Sequence, residues 1–362
     1  MSANMEAKLV LEDGSLFQGS SRGAKGEALG EVIFNTSMTG YQEIITDPSS
    51  CGHILTMTFP LMGNYGINKE DFESRSPFLR GFVAREICPA PSNWRSVKTL
   101  GDYLQEQNII AMDDVDTRAL ARLIREKGSM RGIITTEDTP YNLLLEKVRK
   151  SPPLSALDLV SEVTAPEIYT WENSGPHLVI LDLGLKLSLA RLLLSNGCRI
   201  TVVPATLHTR EIMELKPDGL VLSGGPGDPR QAGEAIKVAR ELAGRIPLLG
   251  LSLGHLVIAL ALGGKTYKLK FGHRGTNHPV KDLHTNHVYI TSQNHGYAVE
   301  EKSLPAGLTV THRHLHDGTV EGFEDKKLKI TTYQYSPEDY SEIADPQHPF
   351  NLFWKYLQVP AL

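Results

Sequence analysis

The chain contains the sequence PLLGLSLGH at residues 247–255. Its apolar start predicts a short buried β-strand, and residues 255–262 predict the helix that follows. A strand-to-helix turn this tight holds its central residue, Ser252, in a strained backbone conformation, with glycines on both sides because side chains there would clash. Ser252 would then stand beside free helix N–H groups that can stabilise an anion. The segment therefore predicts a nucleophile elbow.

Strands and helices alternate on both sides of this elbow. Such alternation is typical of a doubly wound α/β sheet, in which ligands bind beyond the carboxyl ends of the strands. Strands are predicted at 178–181, 199–203, 219–222 and 247–249, and helices at 187–194 and 235–242.

The first part of the chain has a different pattern of apolar residues and turns. Residues 8–90 are β-rich, with an Asp13-Gly14 turn that predicts a hairpin, whereas residues 99–150 have a helical pattern that is clearest at 117–127. A polar stretch with three prolines follows. We therefore predict an N-terminal domain at 1–150, a partly ordered linker at 151–175 and an α/β domain at 176–362.

Composition narrows the class of protein. Of 362 residues, 41% are hydrophobic and 22% charged, and the net charge of -5 gives no basic excess for nucleic acid or an anionic membrane. No apolar run approaches the ~18 residues of a membrane span. The three cysteines form no CxxC pair, which indicates a reducing compartment. A cytoplasmic protein is the expectation.

Short motifs leave alternatives open. Read literally, Gly250–Gly254 is G-x-S-x-G, the serine-hydrolase elbow, but a glycine-rich turn with a capping serine fits equally well. No histidine is singled out by spacing as the base. His312, His314 and His316 alternate as on one face of a strand, but no acidic or cysteine partner stands at ligand spacing, so no metal site is predicted.

Several ordered blocks together resemble one family. The chain is similar over nearly its whole length to the small, glutaminase subunit of carbamoyl-phosphate synthetase, a class I glutamine amidotransferase. The blocks that carry the resemblance are residues 30–43, 46–49, 63–66, 116–118, 222–229, 253–255, 264–266, 277–280 and 293–296.

The resemblance implies a β-rich N-terminal small-subunit domain followed by a doubly wound class I glutamine amidotransferase domain. It implies that an elbow cysteine attacks the glutamine amide, helped by a histidine that a glutamate orients. The ammonia would pass to a large subunit, the expected partner, which binds ATP and Mg²⁺. This chain would need no cofactor of its own.

The chain departs from the family at the catalytic centre. Relatives have G-x-C-x-G-H-Q at the elbow, where this chain has Ser252 as the nucleophile position and Leu256 in place of glutamine. Their Q-x-H-P-E motif is here Gln334–Glu338, with Ser336 at the base position and Glu338 retained as the triad acid. By resemblance, the glutamine site would be lined by Ser49, Gly225, Gly227, Leu253, Leu256, Asn294, Gly296 and Tyr297.

These departures favour a subunit that has lost glutamine hydrolysis, binds glutamine at most weakly and supports synthesis from free ammonia. The isolated chain is not expected to be a competent glutaminase. A working glutaminase with a substituted triad, a regulatory pseudoenzyme without a synthetase partner, and a serine hydrolase with an unrelated base are the alternatives. The sequence leaves open whether the product enters arginine or pyrimidine synthesis.

Overall fold

The computed structural model describes residues 5–339 and 349–357. The chain forms two compact units, residues 1–157 and 158–362. Their boundary falls inside the stretch that the sequence suggested as a linker. That stretch contains helix α5 (Val160–Val163) and strand β10 (Tyr169–Trp171), which pairs with the α/β sheet.

The N-terminal unit is built around a closed barrel of seven strands in the order β1-β2-β8-β6-β4-β3-β9. The hairpin predicted at Asp13-Gly14 is present, since β1 and β2 pair antiparallel across it. The strands are β1 (Glu6–Leu11), β2 (Leu16–Ser21), β3 (Glu27–Asn35), β4 (His53–Met57), β6 (Gly81–Val83), β8 (Ile110–Asp113) and β9 (Met130–Thr135), with β5 (Leu61–Met62) and β7 (Glu86–Ile87) paired separately.

Four helices accompany the barrel. They are α1 (Tyr41–Thr46), α2 (Leu100–Glu106), α3 (Thr117–Lys127) and α4 (Tyr141–Lys150). Helix α3 has the predicted bounds and ends at Gly128, whose φ of 99° suits a glycine. The helical pattern predicted for all of 99–150 is wrong at β8 and β9, because short strands buried in a barrel carry no period that separates them from helix.

The second unit is organised by a ten-stranded sheet in the order β10-β12-β11-β13-β14-β19-β18-β16-β15-β17. Its elements after β10 are β11 (His177–Asp182), α6 (Leu187–Ser195), β12 (Arg199–Pro204), α7 (Thr209–Glu214), β13 (Gly219–Leu222), α8 (Gly233–Leu242), β14 (Leu248–Leu251), α9 (Leu253–Ala261), β15 (Thr266–Asp282), β16 (Val288–Val299), β17 (Thr309–His314), β18 (Val320–Asp325), β19 (Ile330–Tyr333) and α10 (Asn351–Tyr356).

The parallel strands β12, β11, β13, β14 and β19 form the core of this unit. Along β11, Leu178 and Ile180 belong to one apolar cluster, with residues of α6 and α10, whereas Val179 and Leu181 belong to the other, with residues of α8 and α9. Both faces of the sheet are therefore covered, which explains why these strands are continuous apolar runs rather than alternating ones.

The antiparallel strands β15, β16, β17 and β18 extend the sheet and also close on one another, because β18 pairs with both β16 and β17. In the part of the chain that the structure describes, no helix has the length and apolar character that crossing a membrane would require.

Asp182 fixes the turn that leaves the carboxyl end of β11. Its buried carboxylate accepts hydrogen bonds from the backbone N–H of Gly184 at 2.8 Å, Leu185 at 2.7 Å and Ala165 at 2.8 Å. Three orphan donors are satisfied by one side chain, so its loss leaves buried polar groups unpaired.

We expect Asp182→Ala to lower the free energy of unfolding by about 3 kcal/mol, measured by urea denaturation. The matched control is Asp182→Asn, which keeps an acceptor for Gly184 and Leu185 but turns an N–H₂ group toward Ala165. The asparagine variant should lose roughly half as much free energy of unfolding as the alanine variant. Equal stability of the alanine variant and the wild type would contradict this role.

His255 makes the stability of the fold depend on pH. It lies fully buried in α9 with Nδ1 2.8 Å from Thr332 Oγ1, and burial lowers its pKa to about 3. An unfolded chain titrates this group near 6.5. The stability that depends on the neutral ring is therefore complete above pH 6.5 and is lost as the pH falls toward 3.

Because His255→Gln cannot take up this proton, the stability advantage of the wild type over the variant should shrink by about 2 kcal/mol between pH 6.5 and 4.5. Urea denaturation at a series of pH values measures this. The control is His208, an exposed histidine whose pKa is raised by its hydrogen bond with Glu234. The stability difference between the wild type and His208→Gln should not shrink over this pH range. A pH-independent difference for His255→Gln would refute the assignment.

Candidate functional site

The nucleophile elbow is present at Ser252. This residue joins β14 to α9 with φ 48° and ψ −105°, a strained conformation for a residue other than glycine. Position 254 requires a glycine, because a Cβ there would lie 2.2 Å from the carbonyl oxygen of Leu222. The turn therefore needs a glycine where α9 crosses the neighbouring strand, and it leaves the Ser252 side chain half-exposed.

Four segments converge at one edge of the sheet. Lys186, Gly225, Ser252 and Ser336 each follow the carboxyl end of one of the adjacent parallel strands β11, β13, β14 and β19. The backbone N–H of Ser252 donates to the carbonyl oxygen of Tyr333 at 2.8 Å, which holds the elbow to the end of β19. This edge is where doubly wound sheets bind their ligands.

The turn after β13 packs closely on its neighbours. A Cβ on Gly225 would lie 2.0 Å from the carbonyl oxygen of Leu183 and 3.0 Å from Leu253 Cδ2. The buried Ser223 links the same three turns, since its hydroxyl accepts from the Leu183 N–H at 2.9 Å and its carbonyl accepts from the Gly254 N–H at 3.1 Å. The predicted residues Gly225, Ser252 and Leu253 thus belong to one rigid cluster.

Glu338 has an ion-pair partner that the sequence did not suggest. Its carboxylate lies 3.0 Å from Nζ of Lys186, and both side chains are largely buried, at 5% and 17% exposure. The backbone N–H of Ser336, two residues earlier, donates to the carbonyl oxygen of Ser292 in β16 at 3.1 Å. The Glu338 carboxylate, predicted to be the triad acid, therefore faces an ammonium group. The one available signal for Lys186 was its position just after a parallel strand.

Leu256 is directed into the protein. Leu253 and Leu256 are each 2% exposed and both belong to the apolar cluster shared with α8 and the parallel strands. The Leu256 side chain therefore contributes to the core and offers no polar atom to the edge where Ser252 lies.

Strand β16 separates two environments. Ser292, Asn294 and Gly296 are partly exposed, whereas the alternate residues Gln293 and His295 are buried, as expected when neighbouring side chains point to opposite faces. Asn294 and Gly296, predicted to line a glutamine site, therefore share the open face with Ser292, whose carbonyl binds Ser336.

Tyr297 belongs with the glycine-rich turn after β13. It hydrogen-bonds Asp228, whose carboxylate also pairs with Arg230. Burial alone would raise the pKa of Asp228, but these hydrogen bonds outweigh it and keep the pKa below its ordinary value. Gly227 precedes this carboxylate with a φ of 87°.

Ser49 lies in the N-terminal unit, in a short 3₁₀ turn at Pro48–Ser50 where Asp47 Oδ1 accepts from its backbone N–H at 2.8 Å. It is buried within that unit, at 8% exposure. The other predicted lining residues all belong to the second unit.

The described histidines lie away from the Ser252 hydroxyl or are directed elsewhere. Among the described residues, no histidine hydrogen-bonds the Ser252 hydroxyl, and His255, next to the elbow, points into the core against Phe323. The alternating histidines also separate: His312 lies against Tyr333 and Tyr335, whereas His314 contacts other histidines. His316 lies beyond the end of β17.

Comparison with known proteins agrees with this geometry. The family model "Carbamoyl-phosphate synthase small chain, CPSase domain" matches residues 9–134, and "Glutamine amidotransferase class-I" matches residues 179–356. The second match covers the parallel strands, the elbow and Glu338.

Curated relatives match across both units. The chain is 49% identical to a carbamoyl phosphate synthase small chain of Syntrophotalea carbinolica, covering 96% of this chain and 97% of that protein. It is 47% identical to the small chain of Aquifex aeolicus, covering 97% and 99%. It is 44% identical to the pyrimidine-specific small chain of Bacillus subtilis, covering 98% and 97%.

With both domains matched in order and identity near one half over almost the entire length, the chain belongs to the carbamoyl-phosphate synthase small chain family and carries its glutamine amidotransferase domain.

Proposed function

We propose that this small subunit no longer hydrolyses glutamine and that it supports the formation of carbamoyl phosphate from free ammonia by a large subunit. The observation that carries the proposal is the chemistry at the elbow. Ser252 occupies the nucleophile position, Ser336 occupies the base position, and no described histidine replaces the missing base.

The nucleophile is weakened first. A thiol has a pKa near 8.5 and ionises readily at a helix N-terminus, whereas an alcohol must lose its proton to a base during attack. Ser336 cannot act as that base, because a hydroxyl is far less basic than an imidazole. General-base catalysis alone typically contributes about 10²–10⁴-fold.

The triad acid is also redirected. In the family, the glutamate orients the histidine. Here the Glu338 carboxylate lies 3.0 Å from Nζ of Lys186, in a largely buried pair. Each of these two groups compensates the charge of the other. Glu338 therefore has a structural role that does not require the imidazole.

Substrate contacts are reduced but not eliminated. Leu256 is 2% exposed and apolar, so it cannot give the amide contact of the family's glutamine. Asn294 and Gly296 remain on the open face of β16, and Gly225 keeps the tight turn beside the elbow. We expect glutamine to bind weakly and to remain intact.

The scaffold argues for a retained role in an assembly. The strained elbow and the close packing of Gly254 and Gly225 survive, although they are costly to maintain in a fold that serves no purpose. A small chain implies a large-subunit partner, where ATP and Mg²⁺ would bind and ammonia would react with bicarbonate and phosphate.

The first test compares nitrogen sources. The chain is purified with its large subunit, and carbamoyl phosphate is measured with glutamine and with ammonium. We expect formation with ammonium and a rate with glutamine at least about 10²-fold lower. Ser252→Ala should change neither rate.

Equal rates with glutamine and ammonium, abolished for glutamine by Ser252→Ala, would show a working glutaminase instead. Failure to bind any large subunit, by copurification and sedimentation, would favour a regulatory protein without a synthetase partner. Labelling of Ser252 by a fluorophosphonate probe would indicate a serine hydrolase.

The second test rebuilds the triad. Ser252→Cys and Ser336→His are made singly and together, and glutamate release from glutamine is measured. Because triad members act as a unit, we expect each single variant to remain near background and the double variant to exceed both by at least about 10²-fold. Leu256→Gln is then added as a third change, and its effect on KM for glutamine shows whether a side chain at this core-facing position can reach the substrate.

Substantial hydrolysis by Ser252→Cys alone would show that another base is already present. No hydrolysis by the correctly folded triple variant would show that further pocket residues have changed. Thermal unfolding of each variant serves as the folding control.

A further inference from the structure

Five histidines and two carboxylates lie close together on the antiparallel strands, away from the elbow. They come from β15, β16, β17 and β18 and from the turn after β17. The group comprises His273, His278, His295, His314, His316, Asp317 and Glu321. Buried polar side chains at this density need an account, because each costs free energy unless it is paired.

We propose that His273, His295 and Glu321 bind one divalent transition-metal ion of the zinc class. This inference goes beyond the proposed function and is independent of glutamine chemistry. All three side chains are buried, at 6%, 6% and 0% exposure, and each offers a ligand atom within 4.8 Å of the others. Zinc at about 2.1 Å from its ligands requires roughly 3.4 Å between them, so binding would draw them together by about an ångström.

His273 has a ligand atom available. Its Nε2 lies 2.8 Å from the Asp317 carboxylate, whereas its Nδ1 has no hydrogen-bond partner among the described residues. Glu321 Oε1 lies 3.7 Å from that nitrogen. A ring held by a carboxylate through one nitrogen and open at the other is the usual arrangement of a metal-bound histidine.

His295 differs, because both of its ring nitrogens lie near acceptor atoms. Its Nδ1 donates to the carbonyl oxygen of Tyr297 at 2.9 Å, which leaves a lone pair on Nε2. Gln293 Oε1 lies 2.8 Å from that nitrogen, so two acceptors converge there. The lone pairs of His295 Nε2 and Gln293 Oε1 repel each other, and a cation that both atoms face would turn this contact into a favourable one.

The relative orientation of the rings also fits. The planes of His273 and His295 meet at 86°, with centroids 5.0 Å apart. Two imidazoles on one zinc at about 2.1 Å place their ring centres roughly 5 Å apart. Two nitrogens and one carboxylate are a donor set that zinc and other late first-row ions accept.

A second histidine set, His273 with His278 and His314, is less suitable. His273 and His314 are stacked at 18° with centroids 4.3 Å apart, so their in-plane lone pairs run nearly parallel and do not converge. His278 Nδ1 and His314 Nε2 already bond each other at 3.0 Å, and His314 Nδ1 accepts from the His316 N–H.

The cluster lies on the other face of β16 from Asn294 and Gly296, although His295 bonds the backbone carbonyl of Tyr297. His295 and Gln293 are on the buried face of β16, opposite Asn294 and Gly296. A metal there would tie together β15, β16 and β18, the strands that close on one another beside the parallel sheet.

The test uses the untagged full-length chain, stripped with a chelator and titrated with Zn²⁺ by calorimetry. We expect one site per chain. Glu321→Gln and His295→Gln should each weaken binding by more than the roughly 10–100-fold that loss of an outer partner costs, and Asp317→Asn should fall within that range. His314→Gln is the matched control and should bind as the wild type does.

No saturable binding, or equal binding by Glu321→Gln and the wild type, would overturn the proposal. Loss of binding in His314→Gln with retention in Glu321→Gln would assign the metal to the other set. Should the ligand variants fail to fold, X-ray absorption of the Zn²⁺-loaded wild type still decides. Two imidazoles with a carboxylate support the proposal, and three imidazoles with none contradict it.

Discussion

The strained turn at Ser252 is the constraint on which the candidate site depends. A φ of 48° is needed to reverse the chain between β14 and α9, and Gly254 permits it only because no side chain lies against the Leu222 carbonyl oxygen. Ser223 then joins this turn to the turn after β11, on which Lys186 stands. The geometry is held by backbone groups and by the Ser223 hydroxyl, so it does not depend on the side chain at position 252.

The fold of this domain therefore does not depend on which side chains stand at its candidate site. Positioning comes from parallel strands that end at the same edge of the sheet. The side chains placed at that edge can change without disturbing the strands. Glu338 stands at the edge and pairs with Lys186. The amidotransferase domain therefore has a preformed edge, and the proposed loss of glutamine hydrolysis concerns only the side chains on it.

Much of the second unit could be predicted from sequence. The runs at 178–181 and 219–222 are apolar at every position because both faces of the strand are covered, and the elbow is marked by its glycines. The helical pattern assigned to 99–150 failed where β8 and β9 complete the barrel. Those strands are set by partners distant in the chain, which local periodicity does not report.

The sequence by itself determined the family, the two-domain order and the serines at positions 252 and 336 on which the proposed loss of hydrolysis rests, because these are properties of residue type and spacing. Only the tertiary structure decided what those positions face. It paired Glu338 with Lys186 and turned Leu256 into the core. It also gathered His273, His295 and Glu321 from three strands, because antiparallel pairing brings together residues that lie up to 48 positions apart, the difference between 321 and 273.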